Sequence, residues 1–309
     1  MSVSIPSRLV AHAADPRWAG WLDRLPRLID DLLGEWQLTT ESEPVAGTAA
    51  IVLPVRTGEG EATVLKVSWP HWEAETEHLA LRYWAGDGAV RLLRADPRRF
   101  ALLLERADDR RDLRKLRVRE AIEVVASLYP RLHRTPPPQL RTLSWLAADW
   151  AERLPRLIAH GGMPRRIVEH AVSLARDFSR DPATDGTLIH TDLHYENVLG
   201  SLRDDARQDH RGWLVIDPKP LSGDPCYEVG PLLGNRWDEL VGADLGANLR
   251  GGVLDRLYTA VDAAGLDEDR TRDWSLVREV VRVLWAVEED ALEKDDLDRA
   301  VTIAKAMQR

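Results

Sequence analysis

The chain has 309 residues, 44% hydrophobic and 30% charged, which is enough to bury one large core or two medium ones. Its net charge of −9 argues against nucleic acid as a partner, because phosphate binding requires a basic face. The single cysteine, Cys226, excludes an internal disulfide framework and indicates a reducing compartment. We find neither a signal-peptide pattern nor a membrane-spanning apolar run, so we expect a cytoplasmic protein without membrane partners.

The first third of the sequence predicts a sheet accompanied by helices. Residues 17–36 carry apolar positions at helical spacing and predict an amphipathic helix, with Pro26 as a possible kink. A turn at residues 57–60 predicts a hairpin between the first two strands, and residues 71–85 predict a second helix. The predicted strands are residues 45–55, 62–67, 89–93 and 100–105.

The composition changes after Glu105, and helical patterns dominate from there to the end of the sequence. Only a proline loop at 136–138 and the segment 188–225 interrupt them. The predicted fold class is therefore α+β, with a sheet-containing N-terminal lobe at residues 1–106 and a mostly helical C-terminal lobe at residues 107–309.

The segment 188–217 carries the clearest pattern of chemically useful side chains. His190, Asp192 and Asn197 form a polar turn between apolar pairs, and Asp217 follows the apolar run 213–216. A hairpin between 198–199 and 213–216, joined by the polar loop 200–212, would bring Asn197 close to Asp217. Two such oxygen ligands can hold Mg²⁺ against a triphosphate, while a carboxylate five residues before the asparagine receives the proton of the nucleophile.

Each of these residues also has an ordinary structural explanation. Asp192 could cap a helix, and Asn197 and the Asp217–Pro218 pair could belong to turns. Those explanations leave the ordered spacing of the set unexplained, so we favour phosphoryl transfer.

The N-terminal lobe offers an independent test, because a kinase-type nucleotide site needs a strand lysine held by a helical glutamate. Lys66 is the only lysine before position 115 and lies within the apolar strand 62–67. The following helix offers Glu73, Glu75 and Glu77, and we favour Glu77 because its face continues to apolar positions. The alternatives are a surface strand lysine and solvated glutamates.

The loop His190-Thr-Asp-Leu-His-Tyr-Glu-Asn197 resembles the His-Gly-Asp-Leu-His-x-x-Asn loop of the aminoglycoside phosphotransferases. The segment 215–228, with its Asp-Pro-Lys-Pro and Gly-Asp-Pro sequences, is similar to that of the streptomycin 6-kinase and hydroxyurea phosphotransferase branch. The resemblance extends in the same order over nearly the whole chain from about residue 20. Thr191 is a departure, since the wider family often has glycine there.

The resemblance implies a protein-kinase-like bilobal fold with ATP and Mg²⁺ in the cleft. Asp192 would be the catalytic base, Asn197 and Asp217 would bind the metal, and Lys66 with Glu77 would hold the phosphates. Gly47 and Thr48 would cover the phosphates, and the hinge from Glu105 to Ala107 would contact adenine. Asp224 would brace the catalytic loop, and His194 would stabilise it.

The favoured acceptor is the hydroxyl group of a small cationic molecule, an aminoglycoside of the streptomycin type. Carboxylates for such a cation would come from the helical lobe, and the candidates are Asp238, Glu239, Glu288, Glu289 and Asp290. Two alternatives remain open: a small-molecule kinase for hydroxyurea or an aminosugar, and a non-catalytic nucleotide-binding protein. The sequence leaves the oligomeric state open.

Overall fold

The computed structural model describes residues 3–203, 212–242 and 248–308. The predicted connecting loop 200–212 lies largely outside these residues. The strands are β1 Thr39–Thr40, β2 Val45–Ala46, β3 Ala50–Arg56, β4 Ala62–Ser68, β5 Leu92–Asp96, β6 Ala101–Glu105, β7 Asp108–Asp112, β8 Thr187–Ile189, β9 Val198–Gly200, β10 Trp213–Val215 and β11 Leu221–Gly223.

The α-helices of the described residues are α1 Ser7–Val10, α2 Pro16–Glu35, α3 Glu77–Trp84, α4 Val118–Leu132, α5 Leu143–Arg153, α6 Arg156–His160, α7 Arg165–Phe178, α8 Gly230–Gly234, α9 Trp237–Gly242, α10 Leu249–Ala264, α11 Glu268–Glu288 and α12 Lys294–Met307. Short 3₁₀ turns include Leu113–Lys115 and Pro225–Val229.

The N-terminal part is built on a six-stranded antiparallel sheet with β3, β4 and β6 at its centre. Strand side chains alternate between faces, and the two faces belong to different cores. On β6, Ala101 and Leu103 join the core formed with α2, whereas Leu102 and Leu104 join the core that includes α3 and the helical part of the chain. The sheet is therefore buried on both faces, between α2 and the rest of the molecule.

The remainder is helical except for a three-stranded sheet, β10-β9-β7, and the pair β11-β8. The predicted hairpin between the strands at 198 and 213 is confirmed, with Leu199 paired to Leu214. The α+β, kinase-like fold class is confirmed as well. The boundary at residue 106 stays a prediction.

Three predicted elements differ from the structure. The strand 45–55 is two strands, β2 and β3, which pair with each other across a tight turn closed by the Gly47 amide bonded to the Ala50 carbonyl at 2.8 Å. The helix expected over 71–85 begins only at Glu77, after a series of turns. The strand expected over 89–93 lies at 92–96, because Ala89 bridges to Val215 instead.

Candidate active site

Lys66 reaches the interface between the two parts of the molecule because of its position on β4. Leu65 and Val67 point into the core beneath α2, so strand alternation directs Lys66 to the opposite face. There its ammonium group lies 2.7 Å from both Glu77 carboxylate oxygens and 2.5 Å from Asp217 Oδ1. Burial alone would lower the pKa of Lys66, but the Asp217 and Glu77 carboxylates raise it, so the lysine stays protonated.

The hairpin of β9 and β10 brings Asn197 next to Asp217. The Ile216 amide donates to the Asn197 carbonyl at 3.0 Å, and the Asn197 side-chain amide donates to the Asp192 carbonyl at 2.8 Å. The side-chain nitrogen of Asn197 is thereby used within the loop, whereas no hydrogen bond among the described residues uses its side-chain oxygen. Burial would raise the pKa of Asp217, but Lys66 and Lys219 lower it, so the carboxyl group is ionised.

An amide oxygen beside an ionised carboxylate is a donor pair suited to Mg²⁺, which prefers one or two protein oxygens completed by phosphate and water. The described residues contain no cluster of three or more His, Cys, Asp or Glu side chains able to hold a metal. Asn197 and Asp217 supply two oxygen donors, a set that fits a metal ion arriving together with a nucleotide. Magnesium binding by Asn197 and Asp217 stays a prediction.

The catalytic loop is held by buried polar contacts on both sides of Asp192. His190 is fully buried, donates from Nε2 to the Ile216 carbonyl at 2.9 Å and accepts the Asp192 amide at Nδ1. Thr191 adopts a φ of +63°, the left-handed region that favours glycine, which accounts for glycine in the related loop. The Glu228 carboxylate accepts the Thr191 amide at 2.7 Å and so fixes this conformation.

Asp192 forms an ion pair with Lys219, whose Nζ lies 2.6 Å from Asp192 Oδ2. The backbone of Lys219 is joined to the same loop twice, since its amide donates to the His190 carbonyl at 3.0 Å and its carbonyl accepts the Thr191 hydroxyl at 2.7 Å. Burial would raise the pKa of the Asp192 carboxyl, but Lys219 and His194 bring it below its usual value. Asp192 is therefore an ionised carboxylate held in a fixed orientation.

The two segments predicted to contact the nucleotide are a turn and a connection between two sheets. Gly47 and Thr48 form the tight turn between β2 and β3, at the end of the sheet where Ala50 pairs with Ser68. Residues 106–107 connect β6 of the large sheet to β7 of the small sheet. The Glu105 carboxylate accepts the Arg203 Nε at 2.6 Å and the Arg91 amide at 2.9 Å. The nucleotide contacts of Gly47, Thr48, Glu105 and Ala107 stay predictions.

The predicted acidic acceptor residues lie in two separate places, one of them α9 and the other the end of α11. In α9, Glu239 binds Arg236 at 2.6 Å. At the end of α11, Glu288 is bound by Arg153 and, at 3.5 Å, by Arg156. Among the described residues no ion pair or hydrogen bond joins any of the five, including Asp238, Glu289 and Asp290, to Asp192. Their acceptor role stays a prediction.

Several residues of this site were missed from the sequence or given another role. The sequence analysis assigned no role to Lys219, although the Asp-Pro-Lys sequence places it two residues after Asp217. Among the described residues no hydrogen bond or ion pair joins the Asp224 carboxylate to the catalytic loop; this carboxylate binds Arg270 and, at 2.7 Å, the Trp274 indole. Glu228 braces the loop instead, and no local spacing linked it to Thr191.

No helix of the described residues is long and apolar enough to cross a membrane. The structure combines an antiparallel sheet and a helical body with the Lys66–Glu77 ion pair and the residues Asp192, Asn197 and Asp217. This combination defines a kinase-like phosphotransferase. A family model described as "Aminoglycoside/hydroxyurea antibiotic resistance kinase" matches residues 35–290. The chain therefore belongs to the aminoglycoside/hydroxyurea antibiotic resistance kinase family, whose members are O-phosphotransferases.

Relatives support this assignment along the whole chain. Streptomycin 6-kinase of Streptomyces glaucescens is 35% identical over 99% of this chain and 97% of the relative. Hydroxyurea phosphotransferase of Kitasatospora aureofaciens is 35% identical over 97% of this chain and 85% of the relative. Among solved structures, this chain is similar to a mutant of aminoglycoside phosphotransferase APH(4)-Ia in ternary complex with ADP and hygromycin B. The superposition covers 90% of this chain and 97% of that chain, with a TM-score of 0.54 and 16% sequence identity, so the two proteins share the fold.

Proposed function

We propose that this protein transfers the γ-phosphoryl group of ATP to a hydroxyl group of an aminoglycoside of the streptomycin type. The observation that carries the proposal is the convergence of four side chains from distant parts of the sequence. Lys66 Nζ lies 2.5 Å from Asp217 Oδ1, the amide of Ile216, next to Asp217, donates to the Asn197 carbonyl at 3.0 Å, and the Asn197 side chain donates to the Asp192 carbonyl at 2.8 Å.

The roles of the residues follow from their contacts. Lys66, fixed by Glu77, would bind the α- and β-phosphates, and Asn197 with Asp217 would hold Mg²⁺. Bound Mg²⁺ would neutralise charge on the phosphates. Asp192 would orient the acceptor hydroxyl and take its proton on the carboxylate as the new O–P bond forms and the bond between the γ-phosphorus and the β-phosphate oxygen breaks, which releases ADP.

Lys219 adds a charge that the sequence did not predict for this site. Its ammonium group lies 2.6 Å from Asp192 Oδ2, and together with Lys66 its positive charge lowers the pKa of the Asp217 carboxyl. We propose that Lys219 contacts the phosphoryl group during transfer. In that case Lys219→Gln would reduce kcat more than it weakens nucleotide binding.

Hydroxyurea is the second candidate acceptor, because the relative from Kitasatospora aureofaciens that phosphorylates it is as similar to this chain as the streptomycin 6-kinase. Substrate panels distinguish the two candidates. The compartment that suits the single buried thiol and an ATP-dependent reaction is the cytoplasm.

The test is incubation with Mg-ATP and a panel of streptomycin, other aminoglycosides, aminosugars and hydroxyurea, with mass-spectrometric detection of a product heavier by one phosphoryl group. Asp192→Asn should lower kcat on the order of 10²- to 10⁴-fold while retaining nucleotide binding. Asp298→Asn, which alters an exposed carboxylate, is the matched control and should keep full activity. An Asp192→Asn variant with wild-type turnover would refute the mechanism, and a panel without any phosphorylated product would refute the function.

A further inference from the structure

Two side chains of opposite charge stand near Asp192 without binding each other. Glu73 lies in the turns that precede α3, and Arg278 lies in the middle of α11. Within the described part of the chain, Arg278 forms no hydrogen bond or ion pair, and its buried Nη1 is without a partner. The Glu73 carboxylate accepts no hydrogen bond from the described residues either. The His71 ring lies beside the Glu73 carboxylate, with Nε2 at 3.8 Å.

Neighbouring residues hold the Arg278 side chain in place. The guanidinium carbon lies 4.5 Å from the centre of the Tyr227 ring, a cation–π contact. On the other side lies Gly230, where an added Cβ would stand 2.4 Å from Arg278 Cδ. Glycine at this position therefore leaves room for the arginine stem, which is clamped between Gly230 and Tyr227 while its donor groups stay unused.

The charges of Glu73 and Arg278 both interact with the Asp192 carboxylate. Arg278 packs on Tyr227, and the next residue, Glu228, binds the Thr191 amide of the catalytic loop at 2.7 Å. The positive charge of Arg278 helps to lower the pKa of the Asp192 carboxyl. Burial raises the pKa of Glu73, and the charges of Lys219, His71 and Arg278 oppose that rise.

Leaving a desolvated charge without a partner is costly, so such groups in an active site point to a ligand that completes them. The Glu73 side chain is 25% exposed and thus accessible to a ligand from solvent. A guanidinium group offers donors to oxygen, whereas a carboxylate accepts from N–H groups. The two residues therefore select for different atoms of one ligand.

We propose that Glu73 and Arg278 form an acceptor clamp, in which Glu73 binds an N–H group of the acceptor, Arg278 binds an acceptor oxygen, and the hydroxyl between them meets Asp192. The inference rests on the proposed function and adds the ligand class. The ligand is a small molecule with an N–H donor and an oxygen acceptor on either side of the reactive hydroxyl. A guanidino- or amino-substituted cyclitol meets this description, whereas hydroxyurea carries its amide N–H and carbonyl groups on one side of its terminal N–OH group.

Steady-state kinetics of Glu73→Gln and Arg278→Gln with streptomycin and hydroxyurea test the clamp. Each change removes a charge-assisted hydrogen bond, so the acceptor KM should rise on the order of 10- to 100-fold. Nucleotide affinity, measured separately by titration, should remain that of the wild type. Glu73→Gln should impair streptomycin, a cation, more than hydroxyurea, which is neutral. A merely structural role for Glu73 would not change that ratio.

The matched controls are Glu75→Gln and Arg119→Gln, since Glu75 is 53% exposed and Arg119 is 71% exposed. Both should keep wild-type acceptor KM. Arg278→Lys keeps the positive charge and the stem between Gly230 and Tyr227, and should give an intermediate KM even where Arg278→Gln folds poorly.

Unchanged acceptor KM in Glu73→Gln and Arg278→Lys, in an enzyme that phosphorylates either acceptor, would overturn the clamp and leave the proposed function standing. Equal losses of nucleotide and acceptor affinity would overturn it as well, because they indicate general damage. A wild type that binds Mg-ATP but phosphorylates no acceptor would refute the proposed function itself.

Discussion

Thr191 tests how the catalytic loop is held in its unusual conformation. A φ of +63° costs a residue other than glycine on the order of 1–3 kcal/mol. The structure offsets this cost with two bonds of 2.7 Å, one from the Thr191 amide to Glu228 and one from its hydroxyl to the Lys219 carbonyl. We predict that Thr191→Gly and Thr191→Val differ in stability, although both lose the hydroxyl.

In Thr191→Gly the relief of backbone strain is opposed by three losses. The hydroxyl bond contributes about 0.5–1.5 kcal/mol, the buried methyl group about 0.8 kcal/mol, and the greater freedom of glycine in the unfolded chain costs roughly 0.5–1 kcal/mol. These contributions nearly cancel, so the free energy of unfolding should change by less than about 1 kcal/mol. In Thr191→Val the strain persists and the Lys219 carbonyl loses its donor, so the protein should be destabilised by about 1–2 kcal/mol.

The assay is urea unfolding followed by the fluorescence of the 12 tryptophans. Thr271 is the matched control, because its hydroxyl donates to the Asp267 carbonyl at 2.6 Å from within the ordinary helix α11. At position 271 glycine should be worse than valine, since glycine disfavours a helix interior by about 0.8–1 kcal/mol relative to alanine. The same order at position 191 would refute the argument from left-handed backbone strain.

Three further predictions concern stability and nucleotide binding. Glu77→Gln removes the carboxylate that binds Lys66 at 2.7 Å, so it should lower the free energy of unfolding by about 1.5–3 kcal/mol. It should also weaken ATP binding in calorimetric titration, and an unchanged ATP affinity would contradict the role of Glu77 in positioning Lys66. Trp274→Phe removes the indole donor to Asp224, and chemical unfolding should report a loss of about 1–3 kcal/mol, whereas a neutral effect would show that the bond contributes nothing net. Burial lowers the pKa of His190 below its ordinary value near 6.5, so the unfolded chain binds a proton that the folded chain does not. The contribution of His190 to the free energy of unfolding is therefore complete above about pH 6.5. It falls as the pH drops below that value, by up to about 1.4 kcal/mol per pH unit. In urea unfolding at a series of pH values, His190→Asn should flatten that slope.

Much of the candidate site was within reach of the sequence because the residues concerned are determined locally. A strand alternates its side chains, so apolar Leu65 and Val67 already indicated that Lys66 points to the other face. Asp192 and Asn197 lie in one loop, so their spacing can be read directly. Two short apolar runs predict the hairpin that places Asp217 beside this loop. The helix start was less visible: the glutamates at 73 and 75 continue the helical pattern, yet only Glu77 lies within α3.

Only the tertiary structure determined the contacts between residues that are far apart in the sequence. Lys219 pairs with Asp192 across 27 positions, and Glu228 reaches the Thr191 amide across 37. Arg278 comes from a helix whose pattern gives no sign that one arginine turns inward. Periodicity tells which face of an element is buried, but the partner across a buried interface depends on how distant elements pack. The sequence thus determined the elements and the catalytic loop, and packing determined the charges that surround it.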